Sequence, residues 1–191
     1  MKQPPLTAWH WKRAEYERLV DLGLFHNKPV ELIGGQLLVA EPQGSYHSTG
    51  IGVADDVLRA VLPPGWITRS QMPVALDDES EPEPDLAVVR GYRADYRDAH
   101  PARPALVVEV ADSSLAFDRD VKGSLYARAR IADYWIVNLA DRVVEVYRDP
   151  VPDANAPYGW RYGSLEAARP PDSVALLAIP SARVTAGALL P

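Results

Sequence analysis

The chain contains no cysteine. That excludes disulfides and every thiolate-ligated metal site, and it fits a reducing cytoplasm. No apolar run is long enough to span a membrane, and the amino terminus lacks the basic-then-apolar pattern of a secretory signal. A soluble cytoplasmic protein with no membrane partner is expected. There is no internal repeat, no inter-domain linker, and no recognition helix or aromatic stacking module for nucleic acid. The acidic run Asp77-Asp78-Glu79-Ser80-Glu81 lacks the alternating ligands and the glycine of a calcium loop, so it reads as a solvated loop. Positive charge is scarce: 20 Lys and Arg against 26 Asp and Glu leave a net charge of −6. This argues against a protein that coats nucleic acid by bulk electrostatics. It does not exclude local nucleic-acid contact, nor an acidic metal site, which would itself add negative charge.

What is present is enough apolar residue, 47% of 191, for one domain spanning residues 1–191 with a real core. The chain is organised around Pro104 to Tyr147. Ala105 to Val108 is a short run rich in branched residues, suited to a strand buried on both faces, and Glu109 stands at its end. A carboxylate there needs a cation, donors or water to offset its desolvation. Asp118 to Arg130 is a helix candidate, on which Val121, Leu125 and Ala129 form one stripe and Asp118, Lys122 and Tyr126 a second.

Upstream, Thr7 is the expected N-cap of a helix through Trp9, Trp11, Tyr16, Leu19 and Leu22 that closes near Gly23. Val30 to Val39 around Gly34-Gly35 reads as a β-hairpin. Its Glu31 either points inward, toward Glu109, or is an ordinary edge charge. Ser45 to Leu62 reads as a second helix with His47 in its first turn, a position where a histidine is more often structural or exposed than part of a site. Trp66 to Thr68 and Met72 to Leu76 read as short strands flanking Gln71, a polar residue able to line a site. Pro84 stiffens the approach of Asp85 into the strand Leu86 to Val89. Tyr134 to Val137 and Val143 to Tyr147 read as strands around an Ala140-Asp141 turn, Asp149 to Tyr158 as a loop, and Val174 to Leu177 and Ala182 to Leu190 as closing strand or coil segments.

The residue types that stand out are two acids, Asp85 and Glu109, and a lysine, Lys122. Two carboxylates held together repel unless a cation or proton intervenes. Mg²⁺ prefers oxygen ligands at about 2.1 Å and keeps several waters. Asp85, Glu109 and the carbonyl of Val110 can supply three such oxygens. Mn²⁺ is the alternative ion. Lys122 can orient an attacking water or stabilise developing negative charge without chelating the metal. On residue types alone a structural ion-pair network is the commoner arrangement of such a trio, with Asp118 and Lys122 an exposed helix pair contributing about 0.3–0.5 kcal/mol. Arg119, Arg128 and Arg130 gather near Lys122 in sequence, as a basic patch or as a solvated helix face.

The order of the segments Glu-Leu-Ile-Gly-Gly-Gln, Glu-Pro-Asp-Leu-Ala-Val-Val, Leu-Val-Val-Glu-Val-Ala-Asp-Ser-Ser, Asp-Arg-Asp-Val-Lys and Asp-Tyr-Trp-Ile-Val-Asn resembles the Uma-two family of the PD-(D/E)XK nuclease superfamily. The resemblance covers residues 7–150 best and is most specific from Glu83 to Tyr147. It implies an α/β, restriction-endonuclease-like core: a central mixed β-sheet flanked by helices. It also implies a bacterial metal-dependent endonuclease hydrolysing DNA, with a homodimer as the suggested assembly. Asp85 resembles the first metal acid and Glu109 the second. Two residues after Glu109 stands Ala111 rather than lysine, and Lys122 resembles a lysine migrated to the following helix. Glu31 and His47 fall where the family has auxiliary residues, while Gly34, Gln36 and Asn138 stand where acids are common in it. The rival expectation is a catalytically idle nuclease fold that serves as a nucleic-acid or protein interaction module.

Overall fold

The computed structural model describes residues 7–26, 28–40 and 42–191. A helix α1 (Arg13–Asp21) leads into the hairpin β1 (Val30–Ile33) and β2 (Gln36–Val39), then the long helix α2 (Ser45–Val61). Six strands follow in one sheet: β3 (Trp66–Ser70), β4 (Leu86–Arg90), β5 (Leu106–Ala111), β6 (Asp133–Asn138), β7 (Val143–Pro152) and β8 (Trp160–Ala168), side by side in that order. All neighbours are antiparallel except β5 and β6. A parallel pair needs a crossover, and here it is helical. The segments α3 (Leu115–Phe117), a π-helical turn (Asp118–Lys122) and α4 (Gly123–Arg128) run on without a break and form one composite helix. A second hairpin, β9 (Ser173–Leu176) and β10 (Ile179–Thr185), ends in a short 3₁₀ turn. This is the α/β architecture with a central mixed sheet that the family resemblance implies. Among the described residues no helix is long and apolar enough to cross a membrane.

Every residue of β5 and β6 is buried, which explains the unbroken apolar runs. One face of the sheet packs Val88, Val108, Val110, Trp135 and Val137 against Ile51, Ala54 and Leu58 of α2 and against the β9–β10 hairpin. The other face packs Val107, Ala111, Tyr134 and Ile136 against Tyr126 and Ala127 of the composite helix. Each fully buried large apolar side chain contributes about 1.5–3 kcal/mol relative to exposure. Strand alternation then decides where Glu109 looks. It shares a face with Val107 and Ala111, toward the composite helix.

Several boundaries differ from the sequence expectation. Thr7 does not cap α1; the helix starts at Arg13, where the Lys12 N–H donates to the Glu15 carboxylate at 2.8 Å. Met72 to Leu76 is irregular rather than a strand. The acidic run is not a solvated loop: Ser80 and Glu81 are buried, the Glu81 N–H donates to the Leu32 carbonyl at 2.8 Å, and Asp77 accepts from Arg128 at 2.7 Å. Glu109 lies inside β5, not at its end. Of the expected loop Asp149 to Tyr158, Asp153 to Tyr158 is the turn before β8, but Asp149 to Pro152 is the far end of β7, which continues through Pro150 and Pro152 and pairs with β8. Past Arg148, β7 has no β6 residue opposite, so one side of its backbone has no ladder for a proline to break. Asp149 adopts φ +58 there, which obscures the strand pattern further.

Candidate active site

Asp85 immediately precedes β4, and Leu86 pairs with Val108, so Asp85 and Glu109 are cross-strand neighbours on one face. Both are buried. Asp85 Oδ2 accepts the Val110 N–H at 2.8 Å, and the Asp85 N–H makes a long contact of 3.4 Å to Glu109 Oε2. In a strand the N–H and C=O of one residue point to the same side. The Val110 carbonyl therefore also faces Asp85, beyond the last β4–β5 pair. From the composite helix, Lys122 Nζ donates to Glu109 Oε1 at 3.0 Å, and the Tyr126 hydroxyl donates to the same oxygen at 2.7 Å. Asp118 Oδ1 lies 4.0 Å from Lys122 Nζ, and its other oxygen accepts the Ser114 hydroxyl at 2.5 Å.

The structure thus unites Asp85, Glu109 and Lys122 and brings Asp118, Ser114 and Tyr126 beside them. Asp118 is buried, so its pair with Lys122 is not the exposed helix pair the spacing suggested. Glu31 points toward this centre rather than along the hairpin edge: its carboxylate accepts the Glu83 N–H at 3.0 Å and helps hold Lys122 protonated. His47 reaches in from α2, with Nε2 3.6 Å from Asp85 Oδ1; that is too long for a good hydrogen bond but close enough for attraction. Nε2 is buried and without a hydrogen-bond partner among the described residues. Gln71 is not drawn in by its side chain, which is exposed; its N–H donates to the Asp85 carbonyl at 3.0 Å. Nor do the arginines form a basic patch here. Arg119 is bound to Glu145, Arg128 to Asp77, and Arg130 stacks 4.1 Å over Trp160. In the sequence Tyr126 is only the third member of the Asp118–Lys122 stripe, and no local pattern distinguishes its hydroxyl from that of an ordinary core tyrosine.

The electrostatics follow from the inventory. Burial raises the Glu109 pKa, with Asp85 and Asp118 adding to the rise and Lys122 and Tyr126 opposing it. Burial likewise raises Asp118. For Lys122 burial works the other way, but Glu109, Glu31, Asp118 and Asp85 together lift it above its ordinary value, so it stays an ammonium. Asp85 raises His47 in the same sense. Acids outnumber cations, and the centre favours one more positive charge. Among the described residues no three acidic or histidine side chains are arranged to hold an ion by themselves. The donor set is two carboxylates and a carbonyl, which fits Mg²⁺, an ion that commonly takes one or two carboxylates and completes its shell with water or phosphate oxygens.

A separate cleft of about 440 Å³ lies between the composite helix and the β7–β8 hairpin, bordered by Arg119, Tyr147, Trp160 and Arg161. It shares no residue with the acid centre.

The family model for Uma2, described as "Putative restriction endonuclease", matches residues 13–186. The chain belongs to the Uma2 family. No curated protein matches it. Among solved structures, a protein from Anabaena variabilis described as a putative nuclease belonging to DUF820 superposes with a TM-score of 0.60, covering 84% of this chain and 88% of that one at 16% identity. At that identity the likeness concerns the fold. This Uma2 protein therefore has a nuclease-like fold.

Proposed function

We propose that the chain is a Mg²⁺- or Mn²⁺-dependent endonuclease that hydrolyses DNA phosphodiester bonds, with Asp85, Glu109 and the Val110 carbonyl as ion ligands and Lys122 as the reaction-centre cation. One observation carries the reading: two cross-strand carboxylates converge on one face of the sheet while a lysine from the crossover helix bonds the second at 3.0 Å. The chemistry the bound ion supplies is acidification of a water and polarisation of a phosphoryl oxygen. Asp85 is held in place by the Val110 N–H, and Lys122, protonated and buried, is a fixed positive charge for the negative charge that develops at phosphorus. His47, beside Asp85 with an unpartnered Nε2, is suited to donate to a water or phosphate oxygen.

The test is nicking of supercoiled plasmid by wild type and Lys122→Ala, with Mg²⁺, Mn²⁺ or EDTA. The reading requires metal-dependent nicking that the folded variant loses. A second reading, an idle nuclease fold acting as an interaction module, draws on the engagement of Arg119 and Arg128 with acids and on the net charge of −6, which leave little positive surface beside the centre. Absence of cleavage on single-stranded, double-stranded and modified DNA, together with absence of Mn²⁺ binding, would favour it.

A further inference from the structure

We infer that Tyr126 is a positioning residue for Glu109: with Lys122 it occupies Oε1 and so leaves Oε2 as the oxygen offered to a divalent ion. The inference rests on the nuclease reading above and goes beyond it by assigning the oxygens. Tyr126 is fully buried among apolar and aromatic side chains, where a phenylalanine would fill the same space. A buried hydroxyl is costly unless it is bonded, and among the described residues this one has a single partner, Glu109 Oε1 at 2.7 Å. Lys122 donates to that same atom at 3.0 Å. A carboxylate oxygen has two lone pairs, so Oε1 is filled by two donors one helical turn apart.

Oε2 is left, among the described residues, with only the long 3.4 Å contact from the Asp85 N–H. Asp85 shows the same asymmetry. Its Oδ2 takes the Val110 N–H at 2.8 Å, while Oδ1 has, among the described residues, only the neighbouring His47 at 3.6 Å. One oxygen of each acid is thus committed to the protein and one is not. The tyrosine ring is itself held, packing against Tyr134 with centroids 5.0 Å apart, and the Tyr134 hydroxyl donates to the Asp118 carbonyl in the π turn at 3.0 Å. Supporting donors of this kind fix ligand orientation, and their removal commonly weakens metal binding roughly 10–100-fold.

The experiment is Mn²⁺ titration of wild type, Tyr126→Phe and Glu109→Gln, followed by electron paramagnetic resonance, with melting temperatures recorded in parallel without metal. The inference expects wild type to bind, Glu109→Gln to lose binding, and Tyr126→Phe to weaken it roughly 10–100-fold while remaining folded. Unchanged Mn²⁺ affinity in Tyr126→Phe overturns the inference and leaves the nuclease reading standing. Absence of Mn²⁺ binding by wild type overturns both. If Tyr126→Phe does not fold, infrared difference spectra of the wild type with and without Mg²⁺ decide. A shifted tyrosine C–O stretch supports the positioning role, and an unshifted one refutes it.

Discussion

Lys122 and Tyr126, four residues apart on one helix, both end on Oε1 of Glu109, at 3.0 and 2.7 Å. The second acid of the centre is therefore gripped from the helix, while the first, Asp85, is gripped from the strand by Val110. The two grips make different demands on stability and on ion binding, and they can be separated by substitution.

Lys122→Met removes the cation from a carboxylate that is 2% exposed. Stranding a buried charge in this way costs about 3–5 kcal/mol. Adding Glu109→Gln removes the stranded charge, so the double variant should lose less stability than the sum of the two single variants. Urea denaturation of the four proteins in the cycle measures this. Strict additivity would mean the pair is not coupled.

An ion bound only by the folded chain stabilises it. At an ion concentration a hundredfold above the dissociation constant the gain is about 2.7 kcal/mol, roughly 5–10 °C in Tm for a chain of this size. Mg²⁺ should raise the Tm of wild type, EDTA should reverse the rise, and Asp85→Asn should abolish it. A rise that survives Asp85→Asn would place the ion elsewhere.

Away from the centre, burial pushes Glu81 up to about 7, with nearby Glu17 adding to the rise; Glu83 acts in the same sense and Arg13 opposes it. His100 also faces it, at 4.0 Å, and Glu81 Oε2 has no hydrogen-bond partner among the described residues. Because the folded pKa exceeds the unfolded one, the folded state binds more protons between about pH 4.5 and 7, and stability falls as pH rises through that window. Glu81→Gln abolishes this slope, so relative to wild type it should be more stable at pH 8 than at pH 5 by about 1 kcal/mol or more, roughly 2–4 °C. Melting curves at the two pH values test it. Equal differences at both would show that Glu81 is ionised throughout.

Asp133 is fully buried and accepts from Trp135 Nε1 and Arg148 Nε, each at 2.8 Å, and from the Leu177 N–H at 2.8 Å. It joins β6, β7 and the β9–β10 hairpin, at a distance from the acid centre in the fold. Asp133→Ala strands three donors and should cost about 3–5 kcal/mol in urea denaturation. A loss under about 1 kcal/mol would show that water replaces the carboxylate.

The parts of the fold legible in the sequence are those where local chemistry and tertiary context agree. Gly34 and Gly35 take positive φ at the β1–β2 turn, and the branched runs at Leu106 and Tyr134 become the two fully buried strands. Reading failed where context overrides composition. Pro150, Pro152 and Asp149 look like loop yet continue β7, because part of that strand has only one neighbour. The acidic run from Asp77 looks solvated yet meets Arg128 and the first hairpin. Within the site, the charge pattern pointed to Asp85, Glu109 and Lys122. What Tyr126 and Ser114 bond to depends on long-range packing that no spacing encodes.

The π turn at Asp118–Lys122 has one more consequence. Its wider winding accommodates an extra residue within a helix that otherwise keeps its direction. A relative lacking that residue would align with this chain only through a one-position gap inside a helix, where gaps are ordinarily penalised. The lysine's distance along the chain from Glu109 is then an unreliable ruler for recognising equivalent lysines, and superposed coordinates are the better guide.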